Sequence, residues 1–415
     1  MGEKSANSIS LRVAVVQDGA RLHYAVPAAL ERSGSLSLMF SEWFIKEGSL
    51  GKMLRWGGRK ATAGRGAGLW ERRCNEIPAS RVRTNPLLAL KQRGARKRFA
   101  SDEAFYAWAS SMVGKWVRRR GLGDANALFG FIRNIDPDLC LWARESGRVV
   151  VGDQIIAPAV IEADEARRQL QRWPQWEKTA VTHDWQVVED VERRTWTSLD
   201  RISCASNYVR DGLIGLGVDA AKISVCPYPI DAARYAQKTA ESGGVITVGF
   251  VGAVGLRKGA PYFCHVARRL ASDRIKFVMV GPLQIDAKAA GDYADCVQFV
   301  GRVSRSEVGQ WLGKFDLYLF PSTCEGSAGS AMEAMACGLP VIASPNSGTI
   351  MRHGVDGFLH AYDDIDALAA SVDRLAGDEA LRREMGRQAR AAAEQMTLDH
   401  YGRRLVKIFH SAMSD

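Results

Sequence analysis

The sequence predicts two α/β domains, each built on a parallel β-sheet. Short apolar strands alternate with helical segments in two successive series along the chain. A polar segment at 232–244, ending in Ser-Gly-Gly, separates the two series. A length of 415 residues also exceeds what one hydrophobic core usually serves. Parallel sheets bind ligands at the carboxyl ends of their strands, so we predict a site in the cleft between the domains.

The first series, at 1–231, predicts the N-terminal domain. Its opening strand, LRVAVVQ at 11–17, is apolar and β-branched, ends at Asp18-Gly19, and leads into a helix at about 24–32. An amphipathic helix at 207–217 closes with Gly217. Four further segments read as short strands: DLCLWA (138–143), RVVVGD (148–153), RISCAS (201–206) and KISVCPYPID (222–231).

The second series, at 245–396, predicts the C-terminal domain. It restarts with the strand VITVGFVG and contains a capping box, SRSE at 304–307, that opens a helix. The predicted strands are 245–252, 276–281, 297–301, 316–322 and 340–344, and further helices are predicted at 260–271, 364–376 and 378–395.

Composition favours a soluble globular protein, with 47% hydrophobic and 25% charged residues. No apolar run reaches the length of a transmembrane helix, and the first ten residues lack the apolar core of a secretory signal. The eight cysteines are scattered without metal-site spacing, which is typical of reduced thiols. We therefore predict a cytoplasmic protein, peripheral at the inner face of the cell membrane.

The net charge of +10 is concentrated in one stretch. Between Lys46 and Arg120 there are 19 Lys or Arg against 5 Asp or Glu, interleaved with tryptophan, tyrosine and phenylalanine. Such a stretch suits an anionic membrane surface or a lipid-linked phosphate, with nucleic acid a weaker candidate. The alternative is a solvated helical surface whose aromatic side chains belong to the core.

Two glutamates eight positions apart, Glu325 and Glu333, accompany a cluster of small residues at the N-terminus of a helix predicted from near Ala328 to Cys337. Unpaired N–H groups there attract anions, and small side chains let a phosphate approach the backbone. Glu333 can accept hydrogen bonds from the vicinal hydroxyls of a ribose, and Glu325 from a second polyol. The small residues are Gly326, Ser327, Ala328, Gly329 and Ser330. The pattern therefore predicts a binding site for a nucleotide-sugar. The alternative is that both glutamates only cap and solvate the helix.

The segment VGFVGAVGLRKG at 248–259 offers a second phosphate site. A strand ends at Gly252, and Arg257 and Lys258 precede the next helix, where two cations can stabilise a diphosphate leaving group. A nicotinamide-dinucleotide site would need an acid at the end of the following strand. Asp273 instead precedes that strand, which disfavours a dinucleotide.

The motifs resemble those of the retaining GT-B glycosyltransferases of family 4, the group 1 glycosyltransferases. The E-x7-E core is Glu325-GSAGSAM-Glu333, and the G-x5-K-G element is met by Gly252, Lys258 and Gly259. SNYVRDGLIGLGVDAAKISVCPYPID at 206–231 is similar to the segment that closes the N-terminal domain in that family. The resemblance covers most of 200–400, whereas the N-terminal half shares only its strand–helix order.

The resemblance implies two Rossmann-like domains facing across a cleft, and sugar transfer from a nucleoside-diphosphate donor with retention at the anomeric carbon. Arg257 and Lys258 would neutralise the diphosphate, Glu333 would bind the ribose and Glu325 the transferred sugar. Arg302 and Val303 would contact the base. Residues 397–415 would cross back onto the N-terminal domain. The acceptor would be a glycan or a lipid-linked hydroxyl.

The chain departs from the family pattern at two places. Ala253 stands where many members have an arginine, so Arg257 is the candidate for that charge, and EGSA replaces the common EGFG. On the acceptor side, Gly19 and the histidine of THDW, His183, are the candidates for contacts from the N-terminal domain. Asp364-Ile365-Asp366 reads as a helix cap rather than a manganese site, so we predict neither metal nor cofactor.

Two rival functions stay open at this stage. One is a protein that binds anionic membranes or nucleic acid through 46–120 and uses the α/β domains as a scaffold. The other is a different GT-B enzyme, such as a sugar phosphorylase or an epimerase.

Overall fold

The structure is a computed structural model that describes residues 10–45, 72–177, 183–237 and 244–414. Residues 46–71 of the basic stretch, which include all of its Gly-rich part, and residues 238–243 of the predicted linker lie outside this range. The described residues form two parallel sheets, one of seven strands and one of six. The predicted fold class, two doubly wound α/β domains, is confirmed.

The seven-stranded sheet has the order β3-β2-β1-β4-β5-β6-β7. Its strands are β1 (Val13–Val16), β2 (Leu36–Ser41), β3 (Val82–Thr84), β4 (Ala127–Phe131), β5 (Val149–Gln154), β6 (Arg201–Cys204) and β7 (Ile223–Val225). The accompanying helices are α1 (Ala25–Arg32), α2 (Pro86–Ala95), α3 (Asp102–Arg120), α4 (Pro137–Glu145), α5 (Ala159–Arg172), α6 (Trp185–Ser198) and α7 (Asn207–Gly215).

The six-stranded sheet has the order β10-β9-β8-β11-β12-β13. Its strands are β8 (Ile246–Val251), β9 (Ile275–Val280), β10 (Val297–Gly301), β11 (Leu317–Phe320), β12 (Val341–Ala343) and β13 (Gly357–Leu359). The helices that follow are α8 (Ala260–Leu270), α9 (Ala287–Gly291), α10 (Arg305–Leu312), α11 (Gly329–Ala336), α12 (Ile365–Gly377), α13 (Glu379–Glu394) and α14 (Leu398–Ser414).

The predicted strand at 138–143 is wrong, because this segment is the middle of helix α4. The Asp136 side chain accepts a hydrogen bond from the Asp138 N–H, and Pro137 occupies the first helical turn, so the chain enters a helix. Leu139, Cys140 and Ala143 are its buried face, with the spacing of a helix. A short apolar run of this length does not distinguish a strand from a buried helix.

The last helix, α14, packs on the N-terminal sheet although it follows the C-terminal domain in sequence. Tyr401, Leu405 and Phe409 are buried in the same core cluster as β1 and α1. Gly402 allows the close approach, since an added Cβ would lie 3.1 Å from the Ala29 carbonyl oxygen. The chain therefore crosses between the domains twice, once after β7 and once before α14.

Each sheet reverses its strand order at one point, between β1 and β4 in the first and between β8 and β11 in the second. Loops that leave neighbouring strands on opposite sides open a crevice at such a point, where ligands of parallel sheets bind. The loops after β8 and β11 are 252–259 and 321–328, which contain both predicted phosphate motifs. The loops after β1 and β4 begin at Gln17 and Ile132.

Candidate active site

The loops after β8 and β11 are joined by close backbone contacts. Gly259 has a left-handed φ of 76°, and an added Cβ there would lie 1.8 Å from the Pro321 carbonyl oxygen, so only glycine fits. The Arg257 carbonyl oxygen accepts hydrogen bonds from the Thr323 N–H at 2.9 Å and from the Ser322 hydroxyl at 2.9 Å. The two motifs that sequence analysis singled out therefore form one rigid unit.

Glu325 is the centre of a small charge cluster in this unit. Its Oε1 lies 2.6 Å from the Arg257 guanidinium and 2.6 Å from the Lys258 ammonium. Glu325 and Lys258 are largely buried, whereas the Arg257 side chain is 46% exposed. Burial lowers the pKa of Lys258, and Glu325 partly offsets that effect. Two cations thus share one largely buried carboxylate.

Glu333 lies on α11, eight residues after Glu325, in a separate and half-buried environment. Its carboxylate accepts a hydrogen bond from the Tyr235 hydroxyl, and the charge of Arg305 is nearby. Burial raises the pKa of Glu333, which these two neighbours partly oppose. The two glutamates therefore have different partners, which fits two different tasks.

The small residues between them do not all face one open crevice. Gly326 is a contact between the domains, because an added Cβ would lie 1.7 Å from the Ile155 carbonyl oxygen and its own carbonyl accepts from the Ser206 hydroxyl at 2.7 Å. Ala328 is buried. Gly329 is exposed at the first turn of α11, with nothing within 4 Å of an added Cβ. A ligand can thus approach the helix N-terminus at Gly329. At Gly326, where a donor contact was predicted, the N-terminal domain occupies this space.

The other predicted donor residues follow the carboxyl ends of three strands of the second sheet, β8, β10 and β11. Gly252 and Ala253 directly follow β8 and are partly buried. They belong to the same loop as Arg257 and Lys258. Ser327 is partly buried, with its hydroxyl 3.8 Å from the Met332 sulfur, and Ser330 forms a hydrogen bond with Tyr318. Arg302 is exposed and Val303 is partly buried. Both follow the edge strand β10, which is separated from β8 by β9.

The N-terminal side of the cleft is formed by the loop after β1. Gly19 has a left-handed φ of 74° and donates its N–H to the Glu42 carboxylate at 3.3 Å, and Glu42 is also paired with Arg72. Burial and the neighbouring Glu42 raise the pKa of Asp18 to about 8. Three consecutive non-glycine residues, 22–24, then adopt left-handed angles, which cost about 1–2 kcal/mol each. Such strain is often found where a loop serves a site.

His183 lies at the start of α6 in the N-terminal domain. Its Nδ1 is 2.7 Å from the Glu103 carboxylate, and its ring packs on Trp185. It lines the same cavity as Arg21 and Arg133, which follow β1 and β4. Neither arginine was predicted as a site residue: Arg133 follows β4, which was not recognised, and Arg21 follows the predicted strand β1 without belonging to a known motif.

A segment of the N-terminal half also reaches into the donor side. After α5, Trp173 and Trp176 pack on the core of the C-terminal domain, and Glu177 Oε1 accepts the Leu256 N–H at 2.7 Å. This bond lies one residue before Arg257. Nothing in the sequence signals Glu177, since its partner is a backbone group 79 positions away.

Within the described ranges, no group of three or more His, Cys, Asp or Glu side chains could hold a metal ion. Over the same part of the chain, no helix is both long and apolar enough to cross a membrane. Independence from metal and cofactors stays a prediction.

The arrangement of two doubly wound domains facing across a cleft is the GT-B fold. HepE from Anabaena, solved with UDP and glucose, matches with a TM-score of 0.58 and 15% identity, covering 97% of this chain and 100% of that chain. Sucrose-phosphate synthase from Thermosynechococcus elongatus matches with a TM-score of 0.63 and 14% identity, covering 97% and 99%. At these identities the likeness concerns the fold alone.

Residues 245–378 match the family model of the glycosyl transferases group 1. The amylovoran biosynthesis glycosyltransferase AmsK of Erwinia amylovora is 31% identical over 184 residues, which are 40% of this chain and 45% of AmsK. A D-inositol 3-phosphate glycosyltransferase of Jonesia denitrificans is 32% identical over 118 residues, 28% of each chain. These alignments span less than half of either curated relative. For the C-terminal domain, the resemblance to group 1 glycosyltransferases is confirmed.

Proposed function

We propose that the protein is a glycosyltransferase that moves a sugar from a nucleoside-diphosphate donor to a hydroxyl group of a glycan or lipid-linked acceptor. The observation that carries the proposal is the convergence of Arg257 and Lys258 on Glu325 at the point where the second sheet reverses its strand order. The matched relatives include a polysaccharide biosynthesis glycosyltransferase, which supports a role in cell-surface polysaccharide or glycolipid synthesis.

The cations serve the leaving group. When the glycosidic bond of the donor breaks, negative charge grows on the diphosphate, and Arg257 and Lys258 stabilise that charge by contacts that strengthen in the transition state. Glu325 keeps both side chains in place before the donor arrives. Its carboxylate is then available to the hydroxyls of the transferred sugar.

The remaining roles follow from position. Glu333 binds the ribose hydroxyls through its carboxylate, and the open N-terminus of α11 at Gly329 receives a phosphate oxygen. Arg302 and Val303 contact the base. Retention at the anomeric carbon, with the leaving phosphate taking the acceptor proton, is the mechanism that the resemblance implies.

A membrane surface is the proposed location of the acceptor. Helix α2 exposes Leu87 and Leu90, whose side chains are 78% and 63% accessible, beside Lys91 and Arg93. Exposed leucines next to cations suit an anionic lipid surface, where each cation contributes about 1 kcal/mol. Sedimentation with phosphatidylglycerol vesicles at low salt tests this part. Equal binding of wild type and a Leu87→Ser, Leu90→Ser variant would remove α2 from the proposal.

A panel of nucleotide-sugars, read by release of the nucleoside diphosphate, tests the function itself. We expect turnover with at least one donor, and loss of most of it in Lys258→Ala. The matched control is Lys276→Ala, which removes an exposed lysine from the same domain. Equal turnover of Lys258→Ala and wild type at an unchanged melting temperature would contradict the proposal. Salt-sensitive binding to vesicles or nucleic acid without turnover of any donor would favour the scaffold alternative.

A further inference from the structure

The N-terminal domain has a cavity of about 190 Å³ where the first sheet reverses its strand order. Arg21 and Arg133, from the loops after β1 and β4, line it together with Glu103, His183, Tyr106 and Trp185. The β1 loop faces the donor domain. Burial, followed by the charges of Arg305 and Arg234 from beyond β7, lowers the pKa of its His23. The cavity therefore lies on the acceptor side of the cleft.

The charged groups of the cavity pair with one another, with one exception. His183 pairs with Glu103 at 2.7 Å. Arg133 is held by Glu162 at 2.8 Å and by the buried Glu192 at 2.7 Å, and it also donates to the Ala157 carbonyl. These partners fix both groups and use most of their hydrogen-bonding capacity.

Arg21 is the exception. Among the described residues, its guanidinium has neither an ion pair nor a hydrogen bond, although the side chain is partly buried. Burial lowers the pKa of Arg21, and the charge of Asp18 is the largest effect that opposes this lowering. Burial and the neighbouring Glu42 raise the pKa of Asp18 to about 8, and among the described residues Asp18 forms no ion pair with Arg21. A guanidinium in this situation is five donors without an acceptor.

We infer that the acceptor of this enzyme carries an oxyanion, a phosphate or a carboxylate, which Arg21 binds in the N-terminal cavity. The planar guanidinium matches both oxyanions by paired hydrogen bonds. Tyr106, which is 44% exposed, and Trp185 supply apolar faces for the sugar or polyol that bears the anion. The inference rests on the proposed transfer reaction, because it specifies the acceptor of that reaction.

Binding of three small probes tests the inference: glucose 1-phosphate, glucuronate and glucose. Wild type should bind at least one anionic probe about tenfold or more tightly than glucose, as measured by calorimetry or by ligand-observed NMR. The ratio between glucose 1-phosphate and glucuronate distinguishes a phosphate from a carboxylate. In Arg21→Gln the preference should disappear, and Arg21→Lys, which keeps the charge but loses the fork, should retain part of it.

Two controls separate this inference from the proposed function. Arg12→Gln removes an exposed arginine that directly precedes β1 in the same domain, and it should leave the anion preference intact. Nucleoside-diphosphate affinity should be unchanged within about twofold in Arg21→Gln, since Arg21 belongs to the other side of the cleft. If wild type binds the anions no better than glucose, or Arg21→Gln keeps the preference, the inference is overturned whether or not the donor is turned over. If Arg21→Gln does not fold, retention of the full preference in Arg21→Lys would also overturn the paired-hydrogen-bond model.

Discussion

Replacement of Glu325 by glutamine tests the charge cluster most directly. With the sequence alone we expect Glu325 to touch only the transferred sugar, so that diphosphate affinity barely moves. The structure changes this expectation, because the carboxylate occupies the two cations that a diphosphate needs. Glu325→Gln should therefore bind nucleoside diphosphate more tightly than wild type while its turnover falls.

The size of the effect follows from Coulomb's law. A carboxylate about 6 Å from a phosphate charge repels it by about 0.7 kcal/mol at the dielectric constant of water and by about 3 kcal/mol at an effective value of about 20. The half-exposed Arg257 places the site between these limits. Tightening of the dissociation constant by about three- to a hundredfold is the expected range.

Titration calorimetry with UDP, beside steady-state turnover, measures both effects. UDP is the first probe because HepE, a structural neighbour, was solved with it. The pKa of Lys258, already lowered by burial, should fall further without its anionic partner. As pH rises, Lys258 deprotonates and diphosphate affinity falls. In Glu325→Gln this fall should begin at a lower pH than in wild type. Glu394→Gln, which alters a surface carboxylate paired with Arg390 in the same domain, is the control. Weaker UDP binding by Glu325→Gln than by wild type would refute the reasoning.

Three further predictions concern single side chains. Glu333→Gln should raise the dissociation constant for nucleoside diphosphate about five- to a hundredfold. In wild type, diphosphate affinity should fall as pH drops through the raised pKa of Glu333, and an identical pH dependence in both proteins would contradict this role. Glu177→Ala leaves the Leu256 N–H without its acceptor and should weaken donor binding severalfold, whereas Glu177→Gln keeps an acceptor oxygen and should bind like wild type; equal donor affinities in the two variants would show that Glu177 does not position the loop. The pKa of Asp18 is raised from 3.8 to about 8, so the folded state holds a proton that the unfolded chain releases. The free energy of unfolding should therefore decrease as pH rises across that interval. Urea titrations of Asp18→Asn should show a smaller decrease, and parallel curves for both proteins would contradict this role of Asp18.

Most strands and helices of the C-terminal domain could be predicted from the sequence, because the signals that define them are local. Strands β8 and β11 are β-branched or aromatic runs that end at Gly252 and Pro321, and the capping box before α10 is present as predicted. The helix predicted from near Ala328 to Cys337 is α11, Gly329–Ala336. In the N-terminal half, strands β2, β3 and β4 were not predicted, and α4 was predicted to be a strand. Short apolar runs between weak turn signals do not reveal their partners.

The sequence by itself determined the fold class and identified Glu325, Lys258 and Arg257 as candidate site residues. Both results depend on strand patterns, helix caps and the glycines of tight loops, which act over a few residues. The tertiary structure alone decided what these side chains do to one another. It placed both cations on one carboxylate and gave Gly326 to the contact between the domains. It also left Arg21, in the acceptor-side cavity, without an ion pair or side-chain hydrogen bond to any residue that the structure describes. Distances between charges, and the burial that sets their pKa values, depend on loops from strands far apart in sequence that meet only when the two sheets have formed.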